Sequence, residues 1–144
     1  MKKILAIVAA LGVVGCGPEF DGEFKGTYTI SSICNDGSGG SQSVVSDWIV
    51  RETAGKLTIV TNGACSPLTA TINGRTASVL PQSCQSQVTA DGETWVPSAT
   101  SGTLRLTDTG DLNIAYQLHW SFSGPYGTGY CDDTAANGLL ARVN

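Results

Sequence analysis

From Leu112 to Phe122 every second residue is large and apolar: Leu112, Ile114, Tyr116, Leu118, Trp120 and Phe122, separated by Asn113, Ala115, Gln117, His119 and Ser121. A helix would scatter these side chains round its circumference, whereas an extended chain sends successive side chains to opposite faces. The segment is expected to be a strand with one buried face. No stretch of the remaining body sustains helical spacing, so the fold class expected is all-β.

Turn chemistry divides the rest into short strands. Asp108-Thr109-Gly110-Asp111 joins the long strand to residues 103–107, where Leu104 and Leu106 alternate with polar neighbours. Asn73-Gly74 marks another hairpin; with those residues at its centre, Ile72 faces Arg75, Ala70 faces Ala77 and Leu68 faces Val79. Asp91-Gly92 marks a third, with Val88 opposite Trp95. Earlier strands are expected over 26–33, 44–51 and 56–61, and a closing one over 138–143. Segments 35–42 and 124–137, rich in Gly, Ser and Asp, read as loops. Sequential hairpins favour a meander, and closing it removes the exposed edges. The expectation is a single antiparallel up-and-down β-barrel of roughly eight to ten strands, with a β-sandwich as the alternative.

At the other end of the chain, Lys2 and Lys3 precede an apolar run from Ile4 that ends in Val13-Val14-Gly15-Cys16. Closed off by Pro18, the run spans about 21 Å as a helix, short of the roughly 30 Å of hydrocarbon a membrane span must cross. It resembles the lipobox-type signal peptide of bacterial lipoproteins. The resemblance implies removal of residues 1–15 and acylation of Cys16, with palmitate-like chains holding the protein on the membrane. Residues 16–24 then form the lipidated N-terminus and tether, and 25–144 the β-domain. Gly17, in place of the Asp that retains enteric lipoproteins on the inner membrane, implies the outer membrane of the cell envelope.

Four further cysteines, Cys34, Cys65, Cys84 and Cys131, contain no C-x-x-C pair. In an exported chain they read as two disulfides and not as a zinc or redox site. Barrel closure brings the end of the first strand, near Cys34, to the start of the last, near Cys131. The Asn73-Gly74 hairpin puts Cys65 opposite Gln82, close to Cys84. The expected pairs are Cys34 with Cys131 and Cys65 with Cys84.

Once Lys2 and Lys3 are removed, six basic side chains face twelve acidic ones. Nucleic acid is not expected as a partner, since Arg51, Arg75, Arg105 and Arg142 are scattered and form no basic run. His119 is the sole histidine, and no G-x-S-x-G elbow accompanies it. Asp108 with Asp111, and Asp132-Asp133, do not match a calcium loop and read as turn or solvated residues. No catalytic residue, metal or cofactor is expected.

Trp48, Trp95 and Trp120, with Tyr28, Tyr116 and Phe122, either pack as core or line a cavity for a small apolar ligand. Tyr126 and Tyr130, in a glycine-rich segment, suit contact with a glycan or protein. The opening Gly26-Thr27-Tyr28, the meander and a disulfide to the C-terminal region resemble lipocalin-like barrels, with Tyr28 where that pattern has tryptophan. Together these features imply a non-enzymatic binding module for a small molecule, a glycan or an envelope protein. The alternatives are a structural surface lipoprotein without a ligand and a small carboxylate-dependent hydrolase.

Overall fold

The computed structural model describes residues 19–144, so the lipobox reading lies outside the described residues. The described chain is all-β and antiparallel: β1 (Gly22–Cys34), β2 (Gly39–Thr53), β3 (Lys56–Thr61), β4 (Leu68–Asn73), β5 (Thr76–Val79), β6 (Gln82–Ser83), β7 (Gln87–Val88), β8 (Thr94–Leu106), β9 (Leu112–Gly124) and β10 (Gly127–Arg142). β1 lies between β2 and β10, the sheet runs through β3, β4 and β5 on one side and β9 and β8 on the other, and β5 pairs with β8 to close it. β5, β6 and β7 are successive pieces of one interrupted strand along β8: Thr76 faces Arg105, Gln82 faces Ala99 and Val88 faces Thr94. Pro81, which has no N–H to give a ladder, sits in the first gap.

Eight strands thus form a ring in meander order, uneven enough to fit either a barrel or a sandwich description. The weak seam lies between β4 and the interrupted strand. There the Thr69 N–H donates to Gln82 Oε1 at 2.9 Å, and Gln82 Nε2 donates to the Pro67 carbonyl at 2.7 Å. One side-chain amide replaces missing ladder bonds, and the Cys65–Cys84 disulfide holds the same seam covalently.

Alternation sets the two faces of the ring. Leu112, Ile114 and Leu118 of β9 are buried with Leu104 and Leu106 of β8, Val50 of β2, Leu57 and Ile59 of β3 and Leu140 of β10. The first described residues and the end of β10 lie at one end of the ring, called here the terminal end. The β1–β2, β7–β8 and β9–β10 turns lie at the other, the distal end.

Several local expectations are corrected. At the Asn73-Gly74 hairpin the observed partners are Asn73 with Thr76, Ile72 with Ala77 and Ala70 with Val79, two residues from the expected register. Gly74, at φ 63°, takes the first central position instead of the second, which suits a II′-type turn. The shift preserves the buried face and, carried along the chain, brings Cys65 level with Cys84. Val88 faces Thr94, not Trp95, because Thr89 N–H bonds to the Glu93 carbonyl across a three-residue loop ending in left-handed Gly92. The supposed loops 35–42 and 124–137 are mostly strand, leaving only short turns between β1 and β2 and between β9 and β10. The closing strand therefore begins at Gly127. The expected tether also overlaps the domain, since Phe20 and Phe24 are wholly buried.

Candidate functional site

Three successive rungs of inward side chains build the distal end. In the outermost, Trp95 of β8 faces Phe122 of β9, which faces Gly129 of β10. A side chain at Gly129 would collide with the Phe122 ring and with Asn35 Oδ1, so the glycine makes room for that ring. Phe122 in turn stacks on Trp95 at 4.6 Å between centroids. Trp95 Nε1 donates to Glu93 Oε2 at 3.2 Å, which fixes the indole from its other end.

The next rung places Pro97, Trp120, Cys131 and Cys34 side by side, with Cys34 bonded to Cys131. The third places Leu118, Asp133 and Ser32 together. Trp120 Nε1 donates to Asp133 Oδ2 at 2.8 Å, and Ser32 Oγ donates to Asp133 Oδ1. These side chains border an open pocket of about 270 Å³ lined by Ser32, Trp95, Trp120, Asp133 and the Cys34–Cys131 disulfide. Trp95 and Trp120 meet edge to face at 75°, so two walls are indole surfaces at nearly right angles. A Cβ added at Gly40, which faces Ser32 from β2, would meet nothing, so that side stays open.

Asp133 is the residue that sequence reasoning missed. The Asp132-Asp133 pair looks like turn chemistry in a glycine-rich stretch, but consecutive strand residues face opposite ways. Asp132 points outward to His119 Nδ1 at 2.7 Å, and Asp133 points into the ring. The available signal was the alternation of Cys131, Asp133 and Ala135. It is broken by a bulge at Ala136-Asn137, with Asn137 at φ 56°, after which Gly138 and Leu140 take the inward positions.

The other predicted contacts are spread out. Trp48 is buried deeper, 6.0 Å from Tyr116, as core. Tyr130 lies on the outer face of β10 against the His119 ring, and Tyr126 sits exposed on the β9–β10 turn. Neither lines the distal pocket. Beneath the pocket the Tyr28 and Tyr116 hydroxyls share a hydrogen bond of 2.5 Å. Burial, then the Tyr28 hydroxyl, then the nearby Asp133 charge hold the Tyr116 phenol well above the ordinary tyrosine range.

A larger cleft of about 510 Å³ opens at the break between β5 and β8, beside Pro81 and Gly102. Serine, threonine and alanine dominate its lining, and its one ionisable group is the Tyr116 phenol. Charge is concentrated elsewhere. Lys25, Arg51, Lys56, Arg75, Arg105 and Arg142 all lie in the terminal half, among Glu19, Asp21, Glu23, Asp47, Glu52, Asp108 and Asp111. The distal half holds Asp36, Asp91, Glu93, Asp132 and Asp133 and, among the described residues, neither lysine nor arginine. No group of three or more His, Cys, Asp or Glu side chains among the described residues is arranged to hold a metal ion. No protein-family model, curated protein or solved structure matches this chain.

Proposed function

We propose that this chain is a lipid-anchored cell-envelope protein that binds a small ligand, without catalysis, at its distal end. The observation that carries the reading is the pocket itself: two indole walls, a disulfide and an inward carboxylate at the distal end of the ring. A few convergent polar groups in an otherwise apolar concavity are the usual makings of a ligand site. A protein serving only as a coat has no need of an inward carboxylate, which must be hydrogen-bonded to be tolerated there.

Anchoring rests on the sequence. With Cys16 acylated, only Gly17, Pro18 and Glu19 separate it from buried Phe20, a reach of at most about 14 Å. The terminal end then faces the membrane, preferably the outer one, and the pocket faces away. A hydrolase reading has less support, because Asp132 and Asp133 point to opposite faces and Asp108 and Asp111 belong to a hairpin at the terminal end.

Two measurements test the proposal. Mass spectrometry of the membrane fraction should find the acylated chain, and Cys16→Ser should abolish it. Native mass spectrometry of the chain incubated with envelope extract should find a small-molecule adduct that Trp120→Ala loses. An unchanged membrane distribution of Cys16→Ser would refute the anchor, and an adduct that survives Trp120→Ala would refute the site.

A further inference from the structure

Resting on the ligand-binding reading above, we infer that the distal pocket takes a methylated ammonium group. Three independent features lead there. The first is charge. Asp133 accepts hydrogen bonds from Trp120 and Ser32 but has no ion-pair partner among the described residues. All six described lysines and arginines lie in the other half of the molecule. The pocket floor thus carries a negative charge with no internal counter-ion, beneath a rim bearing further carboxylates. An anionic ligand is repelled, and a cationic one supplies the missing charge.

The second feature is the shape of the walls. Trp95 and Trp120 stand edge to face at 6.2 Å, with Phe122 stacked behind Trp95. Indole faces attract cations through the ring quadrupole, most strongly where water is excluded, and aromatic walls beside a carboxylate form the usual receptacle for quaternary ammonium. The third is hydrogen-bonding capacity. Each Asp133 oxygen already accepts one bond from a fixed protein donor, which leaves one lone pair on each, and apart from Ser32 Oγ the remaining wall is indole and disulfide. A primary ammonium must divide three N–H donors among those few acceptors or keep water with it, whereas a trimethylammonium brings none and requires only charge and contact. The pocket volume of about 270 Å³ suits a single headgroup of that kind.

The test uses the full chain in detergent, following tryptophan fluorescence during titration with choline, ethanolamine and 3,3-dimethylbutan-1-ol, the uncharged carbon isostere of choline. Choline should bind at least tenfold more tightly than either of the others. Asp133→Asn should weaken choline at least tenfold while leaving the isostere unaffected, with unchanged near-ultraviolet circular dichroism showing that the fold is kept. Trp95→Phe, which retains an aromatic wall, should weaken choline less than Asp133→Asn does. Equal binding of choline and its isostere, tighter binding of ethanolamine, or an Asp133→Asn variant as tight as the parent would each overturn the inference. Glycerophosphocholine separates a free ligand from a lipid headgroup without the vesicle binding that an acyl anchor itself causes: binding tighter than choline marks the headgroup, weaker binding marks the free cation, and glycerophosphocholine binding without choline binding also overturns it. If instead a neutral glycan or apolar compound from envelope extract binds and Trp120→Ala abolishes it, the ligand-binding reading stands and the ammonium assignment falls. If no compound perturbs either tryptophan, both fall.

Discussion

At the terminal end β1, β8, β9 and β10 turn Phe24, Leu104, Leu112 and Leu140 inward; at the distal end the same strands turn in Ser32, Trp95, Trp120 and Asp133. The terminal set is wholly or almost wholly buried and is capped by Phe20, while the Arg142 guanidinium lies 4.7 Å over the Phe24 ring. The distal set is only partly buried and surrounds a pocket. One end of a continuous sheet is therefore filled, and the other is held open by polar cross-links and a covalent clip. Stability and the proposed recognition are divided along the length of the same strands.

Substitutions can break or sharpen that division. The largest stability effect is expected from the clip at the open end: Cys34→Ser with Cys131→Ser frees a loop spanning 97 residues of separation. The loop-entropy relation puts that loss at about 4 to 5 kcal/mol, against about 3 kcal/mol for removing Cys65–Cys84. Urea midpoints in the reverse order would mean that the weak β4 seam, and not the distal mouth, is where the ring first opens. Phe24→Ala should cost about 3 to 4 kcal/mol by the same measurement, since it empties a filled interior. Its ligand affinity should be unchanged under conditions where the variant stays folded.

Trp120→Phe should do the reverse. It removes one donor to Asp133 at a partly exposed site, a loss of about 1 kcal/mol in stability, but strips the pocket of an indole wall. A change in stability as large as that of Phe24→Ala would show that the distal end is core after all.

The smallest effects belong to two hairpin carboxylates, one at each end. Asp111 is held below the ordinary aspartate value by the Arg142 backbone N–H, then by the Thr109 hydroxyl. Asp36 is held below it by the Ser38 hydroxyl, then by the Ser38 backbone N–H. Both carboxyls are depressed in the folded state, so the stability they add is present above the unfolded value of 3.8 and is lost as pH falls through the lower folded value. Carboxyl titration by NMR should show both below 3.8, and Asp111→Asn or Asp36→Asn should flatten the acid limb of the stability curve slightly.

Legibility in the sequence followed the same division. The long β9 strand and its Asp108–Asp111 hairpin were readable because their apolar residues recur every second position without interruption. Both disulfides were readable because strand order and hairpin geometry left few places for the sulfurs. β10 resembles a loop in sequence over most of its length, because its inward residues are cysteine, aspartate, alanine and glycine, and the Ala136-Asn137 bulge then switches the phase of the pattern. Gly39 and Gly40 of β2 pair through backbone alone and leave no hydrophobic trace. Asp133 was hidden by both causes at once. The residues that make a pocket are those that depart from an apolar alternation, so a reading based on that alternation finds the filled end first.

For the proposed membrane-anchored form, the uneven placement of charge has a mechanical consequence. Strands of this length, tilted as ring closure requires, make a body roughly 30 Å tall. The potential of an anionic bilayer decays over about 8 Å at physiological salt. Lying prone, the molecule would bring its carboxylate-rich pole within that layer; standing, it lifts that pole clear and leaves near the headgroups the half in which acids and bases nearly balance. With the proposed acyl anchor at Cys16, a short leash at the balanced pole and repulsion at the other would act together as a righting moment that turns the mouth away from the membrane.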